Sequence, residues 1–126
     1  VADRIGALVL ERGRTNKRFA LALVSSPGSS GSLVGPFGWT TGIGINATRI
    51  APGVMDITFT NLGGVGDVPT IPIASFVSAN NVNVSRAHCT VTQLTRVDID
   101  IVVRTQCVSL VTGAGIDQPF TIALIE

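Results

Sequence analysis

The sequence predicts an all-β fold, an antiparallel β-sandwich or jelly roll of about seven or eight short strands. Short apolar runs recur along the whole chain, several alternate with a period of two, and Gly, Pro, Asn and Ser separate them. At 126 residues with 45% hydrophobic residues, the chain is long enough for one domain with its own core. We predict this domain over residues 19–126, after a basic segment over residues 1–18.

The basic segment holds five basic residues against two acidic ones, a local net charge of +3. Glycines weaken its helical pattern, so we expect an irregular or short helical arm, or the remnant of a stalk. Its clustered cations could dock to another part of an assembly or, a less favoured reading, to nucleic acid, because no aromatic residue interleaves with them. Of the five basic residues, the four that form this cluster are Arg12, Arg14, Lys17 and Arg18.

The first predicted strands follow this arm. Phe19–Val24 is an uninterrupted apolar run, which predicts either a strand buried on both faces or part of a helix. Residues 25–31 are rich in Ser and Gly and predict a loop. Residues 42–50 predict a strand that carries Ile43, Ile45 and Ala47 on one face.

A tight turn at residues 51–53 is predicted by Pro followed by Gly. Val54–Thr60 then alternates clearly, with Met55, Ile57 and Phe59 on one side and polar residues on the other. Residues 74–77 form a further short apolar run.

The last third of the chain predicts a hairpin and a closing strand. Residues 87–93 and 97–104 would pair around a turn at residues 94–96. A loop rich in Gly precedes the final alternating run, in which Phe120, Ile122 and Leu124 share one face.

Cys89 and Cys107 are the only cysteines. The predicted hairpin places Cys89 opposite about residue 102, away from Cys107. We therefore predict two small buried apolar residues, in preference to a disulfide bridge.

Few residues suggest chemistry. His88, the only histidine, predicts a surface position on a strand, and its neighbour Cys89 would point to the opposite face. Asp98 and Asp100 would share one strand face, as in a carboxylate pair or a calcium site, although a solvated face is the commoner cause. No metal-ligand spacing or phosphate-binding loop occurs. We predict no enzyme, metal or cofactor.

Trp39 is the candidate ligand contact, because it stands among Gly and Pro in a chain with 5% aromatic residues. An exposed Trp could stack on a sugar or act as a hot spot for a protein partner. The favoured alternative is that Trp39 covers one end of the core.

Low charge, at 13% of residues, and a mean hydropathy of +0.48 favour an oligomer over a monomer with an uncharged polar surface. No window reaches the roughly 18 unbroken apolar residues of a membrane-spanning helix, so no membrane span is predicted.

Three stretches carry a family resemblance: residues 49–60, residues 91–105 and residues 117–125. In this order they resemble a β-rich domain at the C-termini of bacteriophage tail fibres and related virion proteins, over Gly31 to Glu126. Met55 and Val97 depart from that pattern, which often has an aromatic residue and a Gly at these positions.

The resemblance implies a non-enzymatic, usually trimeric protein located in the virion, with itself and other virion proteins as partners. A tail-fibre tip and a capsid-decorating domain are both compatible with it. A host surface glycan or receptor is a further expected partner, through the loops. Two alternatives stay open: a carbohydrate- or receptor-binding module that uses Trp39, and a coat subunit whose basic arm contacts nucleic acid.

Overall fold

The computed structural model describes residues 18–24, 37–40, 42–63, 74–79 and 86–125. Through these residues the protein is all-β: they contain strands, turns and loops, and none of them lies in a helix. The predicted fold class is confirmed at this level. The described strands are β1 (Phe19–Val24), β2 (Phe37–Thr40), β3 (Gly44–Ala51), β4 (Val54–Thr60), β5 (Ala74–Ala79), β6 (Ala87–Val97), β7 (Asp100–Ser109) and β8 (Phe120–Ile125).

The strands form two antiparallel sheets, in the orders β2-β1-β8-β5 and β3-β4-β7-β6. Sequential neighbours pair as the hairpins β1–β2, β3–β4 and β6–β7, whereas β4–β7 and β1–β8 are long-range pairs. The first described strand lies directly beside the last one, in a register that runs from Phe19 opposite Ile125 to Val24 opposite Phe120. The final strand is therefore tied into a sheet on both of its sides.

The core lies between the two sheets, because each contributes alternate residues to one buried cluster. In β4 the predicted alternation is confirmed, with Met55, Ile57 and Phe59 buried. In β8 the predicted apolar face is also confirmed, with Phe120, Ile122 and Leu124 buried. The buried cluster also includes Ala20, Ala22, Val24, Ala47, Leu62, Cys89, Ile101, Val103, Cys107, Phe120, Ile122 and Leu124.

Strand β1 is buried along one face, and on the other face only at Phe19, which is 4% exposed. Its side chains at 20, 22 and 24 enter the core, whereas Leu21 is 43% exposed and Leu23 38% exposed. The prediction of burial on both faces is wrong, and so is the helical alternative, because β1 pairs edge to edge with β2 and β8. Both leucines are therefore partly exposed on the outer side of the sheet.

The predicted hairpin exists, but its turn lies three residues further along the chain. Residues 94–96 belong to β6, and the chain reverses at Asp98 and Ile99. Asp98 has a φ of 56°, the left-handed conformation that two-residue hairpin turns require and that Asp tolerates. Asp98 and Asp100 therefore do not share a strand face, since Asp98 is in the turn and Asp100 begins β7.

The corrected register brings Cys89 opposite Cys107, and the two form a disulfide. Their Cα atoms are 4.0 Å apart, close to the narrow spacing of pairs without hydrogen bonds in an antiparallel ladder. The predicted burial of both residues is confirmed, but the preference for free thiols and the pairing with residue 102 are wrong. The later turn moves the partner of Cys89 from about residue 102 to Cys107, a shift of five residues.

The turn between β3 and β4 is clamped to the loop before β8. Asp117 accepts hydrogen bonds from Nε of Arg49 at 3.0 and 3.1 Å and from the N–H of Gly53 at 2.9 Å. Burial raises the pKa of Asp117, but the hydrogen bonds from Arg49 and Gly53, with the charge of Arg49, hold it below its ordinary value. The clamp thus joins the turn between β3 and β4 to the loop before β8 through a charged group.

Gly53 permits the close approach within this clamp. It has a φ of +74°, as predicted for the second turn position. A Cβ there would collide with the carbonyl oxygen of Cys107 and stand 2.7 Å from the nitrogen of Ile116. Only glycine fits both the backbone conformation and the space.

Candidate functional site

The outer face of the β3-β4-β7-β6 sheet carries a polar surface built from two cross-strand rows. In the first row, Thr48 lies opposite Asp56, Asp56 opposite Arg104, and Arg104 opposite Gln93. Directly opposed residues of an antiparallel sheet share a face and lie within contact distance. This row therefore contains one side chain from each of the four strands of the sheet.

The second row is less polar. Thr58 lies opposite Val102, and Val102 lies opposite Thr95. Ile50 and Val97 stand beside the rows and are 49% and 55% exposed. Together the two rows and these two aliphatic side chains line an open concavity of about 420 Å³. We call it the polar concavity; its lining residues are Thr48, Ile50, Asp56, Thr58, Gln93, Thr95, Val97, Val102 and Arg104.

An ion pair stands at the centre of the polar concavity. Arg104 donates from Nε to one carboxylate oxygen of Asp56 and from Nη2 to the other, both at 2.7 Å. This bidentate geometry is the strong form of an arginine–carboxylate contact. The hydrogen bond to Asp56 and the negative charge of Asp56 raise the pKa of Arg104, which keeps the guanidinium charged.

A β-bulge in β6 allows this strand to serve the core and the polar concavity at once. Val91 pairs with Thr105 and Gln93 with Arg104, so Thr92 is an extra residue without an opposite partner. Before the bulge the odd-numbered side chains face the core, and after it they face outward. Gln93 thereby joins the same face as Arg104.

The candidate residues from the sequence lie elsewhere. Trp39 is in β2, at the edge of the other sheet, opposite Leu21 in the register; its predicted role as a contact or a lid concerns a side chain outside the described part. Arg12, Arg14 and Lys17 also lie outside the described residues. Arg18 is half-buried directly before β1 and donates a hydrogen bond of 2.9 Å to the carbonyl of Leu62.

The candidates for acid–base or metal chemistry do not converge. His88 is exposed on β6, and Cys89 beside it is buried, so their predicted placement on opposite faces is confirmed. Asp100 accepts a hydrogen bond of 2.8 Å from the N–H of Asn61 and serves the turn after β4. Among the described residues, no three His, Cys, Asp or Glu side chains are close enough to hold a metal ion.

The two sheets differ sharply in charge. The strands β2, β1, β8 and β5 contain no charged residue at all. On the outer side of this sheet, Leu21 lies opposite Ala123 and Leu23 opposite Thr121. We call this surface, defined by these four residues and the strands that carry them, the charge-free face. None of the described residues forms a helix that is long and apolar enough to cross a membrane.

The polar concavity was not predicted from the sequence, although part of its signal was present. The alternation in β4 already placed Asp56 and Thr58 on the side away from the core. What was missing was the pairing of β4 with β7, a contact across 48 residues that joins Asp56 to Arg104. The residues of one strand do not indicate which strand 48 positions away along the chain will pair with it.

Comparisons with known proteins add no family to this description. No protein-family model matches the chain, and neither a curated protein nor a solved structure matches it.

Proposed function

We propose that the chain is a non-enzymatic structural subunit of a bacteriophage virion, a tail-fibre tip or a capsid-decorating domain, and that it works as a homo-oligomer, a trimer being the expected state. The virion location rests on the resemblance of residues 31–126 to tail-fibre domains. The oligomeric mode of action rests on the charge-free face, which is the observation that carries the proposal.

The charge-free face has the character of a surface that another surface covers. Exposed sheet faces usually carry polar or charged residues at alternate positions, as β4 does with Asp56 and Thr58. In β1 the corresponding outward residues are Leu21 and Leu23, each more than a third exposed. Covering the exposed part of the two leucines is worth about 2 kcal/mol per subunit.

A second copy of the chain suits the charge-free face because nothing in these strands selects a charged partner. Six residues of a strand span about 20 Å and the two strands β1 and β8 about 10 Å, so the charge-free face projects to about 200 Å². It is smaller than the roughly 800 Å² per partner of a standard interface, so further contacts, such as those of a threefold arrangement, would have to contribute.

The finer form of the fold belongs to the same proposal. We infer that the eight described strands form one complete sandwich with four strands in each sheet. In each of the three hairpins both strands belong to the same sheet, which favours a plain sandwich over the jelly-roll form. On such a rigid scaffold, the exposed residues 110–115 of the loop before β8 are a candidate contact for other virion proteins or a host receptor.

A coat subunit is the second candidate, and the local charge of +3 in residues 1–18 is the observation that favours it. In that case the arm with Arg12, Arg14 and Lys17 would contact nucleic acid. Of the arm's cations, Arg18 is engaged with Leu62 on the sandwich. Arg12, Arg14 and Lys17 lie outside the described residues. A receptor-binding module that uses Trp39 is the third candidate.

The absolute mass of the purified protein, measured by light scattering after size exclusion together with the ultraviolet absorbance ratio, tests the proposal. A mass near three subunits without nucleic acid supports it. A particle in the megadalton range that carries nucleic acid supports the coat subunit instead. A monomer at every concentration would refute an oligomeric structural role and leave the binding module.

A further inference from the structure

We propose that the polar concavity is a binding site for a neutral saccharide. This inference rests on the proposed function in one respect: assembly through the charge-free face leaves the opposite sheet, and with it the polar concavity, directed outward. The argument for the ligand itself uses only the charge, hydrogen-bonding groups and shape of the site.

The charge of the site favours a neutral ligand. Arg104 and Asp56 are the only charged residues among the nine that line the polar concavity, and they neutralise each other through two bonds of 2.7 Å. An anion would have to compete with Asp56 for the guanidinium, and a cation with Arg104 for the carboxylate. Because 41% of the Arg104 side chain is exposed, separating the pair costs little, and the preference for a neutral ligand rests on the net charge of zero that the pair gives the site.

The hydrogen-bonding groups match hydroxyls. Thr48, Thr58 and Thr95 each offer a hydroxyl that both donates and accepts, and the amide of Gln93 does the same with separate atoms. A guanidinium has five N–H donors, of which the ion pair uses two. Sugar hydroxyls also donate and accept at once, so every such group in the polar concavity can find a partner on a sugar ring.

The remaining lining residues suit the C–H faces of sugar rings. Ile50 and Val97 flank the polar rows and are about half exposed, and Val102 lies between Thr58 and Thr95. Small-molecule sites combine such apolar walls with a few placed polar groups. The volume of about 420 Å³ lies in the range of known ligand pockets. Because the concavity is open at the surface, the ligand can be part of a longer glycan chain.

Binding to an array of neutral and anionic glycans, followed by titration of the best neutral oligosaccharide by NMR, tests this inference. We expect amide shifts in β3, β4, β6 and β7 around the polar concavity. Thr95→Val removes one hydroxyl and keeps the shape, and should weaken binding about five- to tenfold. Thr90→Val is the matched control, because Thr90 is an exposed threonine on the same strand and outside the polar concavity.

Salt separates this ligand class from an acidic one. Binding of a neutral glycan should be unchanged between low and high sodium chloride, whereas an acidic partner would lose affinity steeply. Failure of every neutral glycan on the array to bind, shifts confined to other surfaces, or equal effects of Thr95→Val and Thr90→Val would each overturn the inference.

The failure of this inference differs visibly from the failure of the proposed assembly. A trimer that binds no neutral glycan refutes the site and leaves the structural role. A monomer that binds a glycan in the polar concavity refutes the assembly and leaves the site. An oligomer whose contacts bury the β3-β4-β7-β6 face refutes the site directly, because the ligand could not reach it.

Discussion

Breaking the bond between Cys89 and Cys107 is expected to lower the free energy of unfolding by about 3 kcal/mol. The bond closes a loop with a sequence separation of 18 residues. In the chain-entropy account, a loop of this length stabilises the folded state by about 3 kcal/mol at 25 °C, because the unfolded chain loses freedom. For a domain of this size the loss corresponds to a fall in Tm of about 10–15 °C.

Urea unfolding of Cys89→Ala, Cys107→Ala and the double variant measures this quantity, with reductant present to keep any single thiol reduced. Either single change already removes the bond, so each should cost about 3 kcal/mol and the double little more. The m value should rise, since the unfolded chain without the bond exposes more surface. Comparing the oxidised protein with its reduced form gives the same energy without substitution.

The double variant provides the control, because reductant should not change its unfolding midpoint. Additive costs of the two single substitutions would refute the reasoning, since they would mean that each cysteine contributes through its own packing. An unchanged midpoint of the natural protein on reduction would refute it as well.

Three further perturbations test other parts of the structure. Gly53→Ala should destabilise the protein by about 3 kcal/mol, because the added Cβ meets both a strained φ and close backbone atoms. Gly113→Ala, at a similar φ of +73° but in open space, should cost about 1 kcal/mol. Thermal unfolding compares the two variants, and equal costs would show that the close contacts at residue 53 do not matter. Asp117→Asn should cost about 1 kcal/mol in chemical unfolding, a modest value because the side chain is 27% exposed. Since folding lowers the pKa of Asp117, its contribution is present above about pH 4 and declines as the pH falls further, so the natural protein and Asp117→Asn should converge in stability in acid. Leu21→Lys should reduce the mass of the oligomer in light scattering. Leu110→Lys, at a residue that is 65% exposed in a turn, should leave the mass unchanged. An unchanged mass for both variants would show that the charge-free face is not part of the subunit interface.

Strands whose faces differ in polarity were predictable from the sequence. In β4, Met55, Ile57 and Phe59 alternate with polar residues, and each lies where the period of two places it. Strand β8 was found in the same way. In β1 every residue is apolar, so no period existed from which to tell the exposed Leu21 and Leu23 from their buried neighbours.

The hairpin turn was misplaced for a specific reason. The actual turn at Asp98 and Ile99 contains one turn-forming residue, Asp98, and lacks the Gly, Pro and Asn that mark turns most strongly. Val97 and Ile101 continue the apolar alternation on either side of it, so the sequence imitates one unbroken strand. The disulfide was missed in consequence, because its prediction depended on the register that the turn sets.

The candidate site was beyond sequence reasoning for a different reason. Threonines and one ion pair on a sheet face are ordinary solvated residues when each strand is considered alone. They become a site only through the order of four strands and the bulge at Thr92. Both are properties of long-range pairing, for which a single sequence offers no direct signal.

The bulge in β6 also has a consequence for how the length of this protein can vary. Thr92 stands between two pairs that are already neighbours on β7, so its deletion would leave Gln93 opposite Arg104 and Val91 opposite Thr105. A deletion within β4 would instead turn every following side chain to the other face. During evolution, one residue could therefore be gained or lost at position 92 while the core and the outer rows keep their partners, and only the bend of the edge strand would change.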